Sequence, residues 1–203
     1  MLPHPPLLLI TDRHQARTDL ADVLAASFGA GLRWASVREK DLAPAEQVDL
    51  VRRLLPVAHA HGACLTLHGT AALALEAGAD GVHLPSGADV NAARALLGPD
   101  ALIGLSVHSM AEVTAAPPSA SYLVAGPAFE TASKPGYGPA LGPEGLAQLA
   151  RATALPLLAL GGLDRHTLLL CQDSGLAGAA VMGGVMRADD PAAEVRALLA
   201  ALG

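Results

Sequence analysis

The chain has 203 residues, 52% of them hydrophobic, and a formal net charge of −6. A charged fraction of 16% is too low for a disordered chain, and the acidic balance argues against a broad nucleic-acid-binding surface. The length suits one domain, 1–203, and aromatic residues at 2% mean that its core is built from many small aliphatic contacts.

Taken in order, Met1-Leu2-Pro3-His4-Pro5-Pro6 has no basic signal-peptide region, and the apolar Leu7–Ile10 is far too short for a signal core or a membrane span. A soluble, cytoplasmic protein with no membrane contact is expected. Strands are predicted at Leu7–Thr11, Trp34–Arg38, Cys64–Leu67, Gly81–His83, Leu102–Val107, Tyr122–Ala125, Leu155–Leu160 and Gly178–Met182. These runs are apolar throughout rather than alternating, as in parallel strands buried on both faces. Helices are predicted between them, at Ala16–Phe28, Ala43–Ala60, Thr70–Ala77, Val90–Leu97, Ser109–Thr114, Pro143–Thr153, Asp164–Asp173 and Pro191–Leu202. Cys64 and Cys171 lie in apolar runs without C-x-x-C spacing, which predicts buried free thiols.

Eight strands alternating with helices predict a single-domain α/β fold, a (β/α)₈ TIM barrel. The last two strands are each followed by a glycine pair, Gly161-Gly162 and Gly183-Gly184. Loops after strands 7 and 8 are the usual phosphate cradle of this fold, and glycines there admit backbone N–H groups to the anion without a Cβ in the way. The expected phosphate contacts are Gly161, Gly162, Met182, Gly183 and Gly184; a structural role in ending the strands is the alternative. The other strand ends contribute Arg38, Glu39 and Lys40, then His68, His83, Ser106 and His108, a set suited to an anionic substrate and proton transfer. Glu39 reads better as an ion-pair partner of Arg38 bracing the mouth, and His83 as a structural histidine. His108 could equally cap the following helix. The long segment 129–142 carries Thr131, Ser133 and Lys134 and reads as an active-site cover, with a mobile surface loop as the alternative. No carboxylate pair suitable for a metal is apparent.

At this point a family likeness can be stated. The segments Leu9-Ile10-Thr11-Asp12, Arg38-Glu39-Lys40, Gly78 to Leu84, Ile103 to Ser109, Gly126-Pro127-Ala128-Phe129-Glu130-Thr131, Ala159 to Leu163 and Gly178 to Val185 resemble the thiamine phosphate synthase/TenI superfamily over essentially the whole chain. The resemblance implies a phosphorylated thiazole as substrate. It offers two activities: a synthase that joins a pyrimidine diphosphate to a thiazole phosphate using magnesium, and a TenI-type tautomerase that aromatises a thiazole carboxylate phosphate without metal. The synthase pattern has metal-binding aspartates where this chain has Gly69 and Ala88, with Asp89 one place late, and its pyrimidine-contacting asparagine is replaced by His68. Leu84-Pro85-Ser86-Gly87 and Ser106-Val107-His108-Ser109 have the TenI flavour, yet the histidine of the TenI pattern is here Pro127.

The resulting expectation is a thiazole tautomerase, an isomerase without metal or cofactor. His68 or His108 would transfer the proton, and Lys134, Thr131 and Ser133 would close over the ring. Arg38 and Lys40 would hold the carboxylate side, with Ser106 also touching substrate. The alternatives are a magnesium-dependent thiamine phosphate synthase and a catalytically lapsed binder of thiazole or thiamine phosphate. Homo-oligomerisation is left open.

Overall fold

In the computed structural model, which describes residues 1–131 and 139–203, eight parallel strands close into one barrel in chain order. They are β1 (Leu7–Ile10), β2 (Trp34–Val37), β3 (Cys64–His68), β4 (Gly81–Leu84), β5 (Leu102–Val107), β6 (Tyr122–Ala125), β7 (Leu157–Leu160) and β8 (Gly178–Val181). Closure is made by β1 on β8, with Leu8 beside Ala180. The helices are α1 (Leu20–Gly29), α2 (Pro44–Ala60), α3 (Ala71–Ala77), α4 (Val90–Leu97), α5 (Met110–Ala115), α6 (Gly142–Arg151), α7 (Arg165–Leu170), α8 (Gly183–Met186) and α9 (Pro191–Leu202).

Alternation along each strand divides the apolar residues between two cores. Leu8, Ile10, Trp34, Leu102, Tyr122, Val124, Leu158 and Ala180 pack inside the barrel. Leu7, Leu9, Ala35, Val37, Leu65, Leu67 and their equivalents face outward onto the helices. Two of these residues are aromatic, and their rings meet in the interior, Trp34 edge-on to Tyr122 at 4.6 Å between centroids. Gly104 makes room for them: a Cβ there would lie 2.1 Å from Cζ of Tyr122.

Local chemistry accounts for where the elements begin and end. In α2 the Glu46 carboxylate accepts the Ala43 N–H at 2.8 Å, Val48, Val51, Leu54 and Ala58 form its buried stripe, and Gly62 at φ +62° turns the chain out of it. β7 starts two residues later than predicted because the Leu155 N–H goes to Thr153 Oγ1 and Pro156 has no N–H to give; the Pro156 carbonyl still accepts from Leu123. α1 starts at Leu20 rather than Ala16, capped by Asp19, since the preceding residues are drawn into contacts at the barrel mouth. α7 is shorter than predicted and ends in a 3-10 turn over Gln172–Ser174. The short α8 was not predicted.

Candidate active site

The mouth of the barrel is framed by a buried carboxylate. Glu39, only 3% exposed, accepts from Thr11 Oγ1 at 2.7 Å, from the Arg13 N–H at 3.1 Å and from Arg13 Nη1 at 3.1 Å. Arg13 also pairs with Asp41, whose carboxyl it holds well below the usual range. This corrects the expected Arg38–Glu39 ion pair: the partner is Arg13, on the loop after β1. Arg38 instead donates its backbone N–H to Thr11 Oγ1 at 3.0 Å, and the Thr11 hydroxyl thereby ties β2 to β1.

A second polar string rises through the barrel interior. His83 is 2% exposed; its Nδ1 lies 3.2 Å from the Tyr122 hydroxyl and its Nε2 2.9 Å from Ser106 Oγ. Burial, with a smaller contribution from the positive charge of Lys40, pushes the His83 pKa down to about 3, so this ring is neutral. His68, the last residue of β3, stacks on it at 4.8 Å. Ser106 thus receives its orientation from a fixed, uncharged neighbour.

His68 also lines a cleft of about 620 Å³ together with Lys40, Gly69, Thr70, Ala88 and Asp89. His108 stands apart from His68: its Nδ1 lies 3.0 Å from the Gly126 carbonyl and its N–H donates to Glu112, which braces the loops after β5 and β6. Helix α5 itself is capped by Ser109. Thr131 is half-buried on the β6 loop. Ser133 and Lys134 lie outside the described residues, and so does half of the expected cover, 132–138.

The two glycine pairs occupy neighbouring loops, because β7 and β8 pair with Leu160 beside Ala180. Gly161 and Gly162 have φ of +105° and +63°, and a Cβ on Gly162 would lie 2.4 Å from the Glu130 carbonyl oxygen. Side chains are excluded there on both conformational and steric grounds. Met182 lies just beyond β8, which ends at Val181 rather than at Met182 as predicted, and stands at the start of α8; Gly183 is buried and Gly184 exposed. Arg187, which the sequence reading left out, lays its guanidinium over Gly183 and bonds Gln15 across the mouth. Arg165 and Arg187 line a cavity of about 440 Å³ with Gly183 and Gly184. Arg187 follows Gly183 by four residues, one helical turn, a spacing that would have flagged it had α8 been foreseen.

The donor set does not suit magnesium, which asks for one or two carboxylates with open coordination. Where the synthase pattern has aspartates stand Gly69 and Ala88. Asp89 spends its carboxylate capping α4, accepting the Ala92 N–H at 2.9 Å. Asp12 accepts from Gln15 and the His14 N–H, and Glu112 from Ser86 and the His108 N–H. Among the described residues no three His, Cys, Asp or Glu side chains converge as a metal site. Nor, among the described residues, is any helix long and apolar enough to cross a membrane.

Comparison with known proteins decides the family. The thiamine monophosphate synthase family model (TMP-TENI) matches residues 7–185. The chain belongs to that family. It is 37% identical over 204 residues to a thiamine-phosphate synthase of Chlorobium luteolum, covering 98% of this chain and 93% of that one. It is 35% identical over 198 residues to a thiamine-phosphate synthase of Roseiflexus, covering 96% and 84%. Among solved structures, a thiamine phosphate pyrophosphorylase from Pyrococcus furiosus superposes with a TM-score of 0.85 at 26% identity, over 97% of this chain and 95% of that one.

These likenesses overturn the expected thiazole tautomerase. Relatives matched over nearly the whole chain are named as synthases, so the isomerase reading gives way to a transferase. The tautomerase expectation rests on Gly69, Ala88 and the short segments 84–87 and 106–109, whereas the likeness to synthases extends over nearly the whole chain. Gly69 and Ala88 bear on how a diphosphate is neutralised, not on which bond is formed. Position 127, where the tautomerase pattern has its histidine, is a packing position here: the Pro127 carbonyl accepts from Leu141 and its ring lies against Gly161. The proton-shift role given to His68 and His108 falls with that activity.

Proposed function

We propose that this protein is a thiamine-phosphate synthase, joining a pyrimidine diphosphate to a thiazole phosphate. In this reaction the bond from the pyrimidine's methylene carbon to the diphosphate oxygen breaks, and its electrons leave with diphosphate. The lone pair of the thiazole nitrogen forms the new carbon–nitrogen bond. The observation that carries the reading is the coverage of the relatives named as thiamine-phosphate synthases, which takes in 98% and 96% of this chain.

The site chemistry is consistent with two anions entering from opposite sides of one mouth. The Gly161-Gly162 and Gly183-Gly184 turns would hold the thiazole phosphate through backbone N–H groups, with Met182 alongside. Arg38, Lys40 and His68 would face the pyrimidine diphosphate across the β2–β4 side, and Ser106, oriented by neutral His83, would offer a hydroxyl between them. Thr131, Ser133 and Lys134 would act from the loop after β6. The mouth's cations favour the departing anion, since interactions with charge that develops on bond breaking accelerate the step.

Purified protein incubated with both substrates should yield thiamine phosphate and diphosphate in equal amounts, measured chromatographically. Absence of product under every metal condition, with both substrates shown to bind, would remove this reading.

A further inference from the structure

The rim between β3 and β4 combines two features that are usually kept apart. It lines the larger cleft, and it offers an anion no carboxylate-bound cation. Gly69 and Ala88 contribute no oxygen ligand, while Asp89, in the same cleft, is engaged by the backbone of α4. Of the other acidic side chains at the strand ends, Glu39 and Asp41 pair with Arg13, Asp12 with Gln15, and Glu112 with Ser86 and the His108 N–H, while Glu130 is exposed on the loop after β6 and does not line this cleft. The undescribed residues 132–138 are Ala, Ser, Lys, Pro, Gly, Tyr and Gly, so they supply no carboxylate either. What the cleft does have is Lys40, whose positive charge reaches far enough into the mouth to be felt at His83, and the hydroxyl of Thr70. A divalent cation placed there would meet the like charge of Lys40 and a single carboxylate, that of Asp89, already hydrogen-bonded at the start of α4. A polyphosphate would meet the Lys40 ammonium and the Thr70 hydroxyl, beside that one carboxylate.

We propose that this cleft binds diphosphate as the metal-free anion, with Lys40 as its principal counter-charge. The proposal rests on the synthase reading for its ligand but not for its test. Magnesium binds diphosphate in solution, so it competes with a protein that takes the free anion and assists a protein that takes the complex. The sign of the magnesium effect therefore separates the two.

The experiment is calorimetric titration of inorganic diphosphate into EDTA-treated protein, repeated in excess magnesium chloride. Binding without metal, weakened by excess magnesium, is expected. Lys40→Met should weaken it by roughly tenfold, the size of one charge-assisted contact. The double variant Gly69→Asp, Ala88→Asp should reverse the sign, so that magnesium tightens binding. No metal-free binding, or affinity left unchanged or tightened by magnesium in the wild type, overturns the proposal; wild-type affinity in Lys40→Met overturns the role of Lys40. The turnover assay keeps the two readings separate. Product formed only with magnesium sinks this proposal and leaves the synthase, whereas metal-free diphosphate binding without product under any condition sinks the synthase and leaves the proposal.

Discussion

At the scale of single residues, His83 shows how burial sets chemistry. Its ring nitrogens meet a tyrosine hydroxyl and a serine hydroxyl and its face another imidazole, so no carboxylate on these edges offsets the cost of burying a positive charge. The folded-state pKa of about 3 lies below the ordinary histidine value of 6.5. Between these limits the unfolded chain binds a proton that the folded chain refuses, so stability rises with pH there and is fully present above about 6.5. The slope for one such group is about 1.4 kcal/mol per pH unit. The expected outcome is that the denaturation midpoint of the wild type falls as pH drops from 6.5 towards 4, and that His83→Gln flattens this fall. Equal pH profiles for the two proteins would show that His83 does not titrate in this way.

The elements carry the site because each strand end delivers one or two side chains to a common rim, and short turns decide what those side chains meet. The β8–α8 turn is the sharpest case. Gly183 is buried, and a Cβ on it would lie 2.4 Å from Arg187 Nη1, so any side chain must displace the guanidinium that also reaches Gln15. Gly183→Val is therefore expected to weaken thiazole phosphate binding by roughly tenfold or more, the worth of a lost charge-assisted contact, while leaving inorganic diphosphate binding within error. Equal loss for both ligands in titration calorimetry would make the turn a structural one. The β1 and β2 ends work differently: Thr11, Arg13 and Glu39 satisfy each other, and Lys40, one residue on, lines the cleft.

Across the whole molecule, closure is the organising fact. β1 pairs with both β2 and β8, so no strand can leave without breaking two ladders and opening both cores at once. The sole tryptophan, Trp34, lies inside the barrel against Tyr122, and the helices lie outside. Fluorescence and far-UV circular dichroism thus watch the two cores separately. Their denaturant midpoints should coincide, as for a single cooperative transition. A tryptophan transition that separates from the loss of helix would mean that the barrel and its helical layer unfold independently.

Much of this was legible in the chain itself. The period of apolar runs and helices predicts eight strands in a barrel, because strands buried on both faces need continuous apolar stretches and parallel neighbours need a crossover between them. The glycine pairs were visible as candidates because a backbone that must approach an anion excludes side chains locally, which is a property of sequence. Tertiary structure decided the rest. It gave Glu39 to Arg13 rather than to its neighbour Arg38, placed Arg187 over Gly183, sent the His108 ring to the Gly126 carbonyl and buried His83 where it cannot hold a charge. Each of these depends on which strand ends lie side by side in the closed barrel, and adjacency across the mouth is not encoded at any single position along the chain.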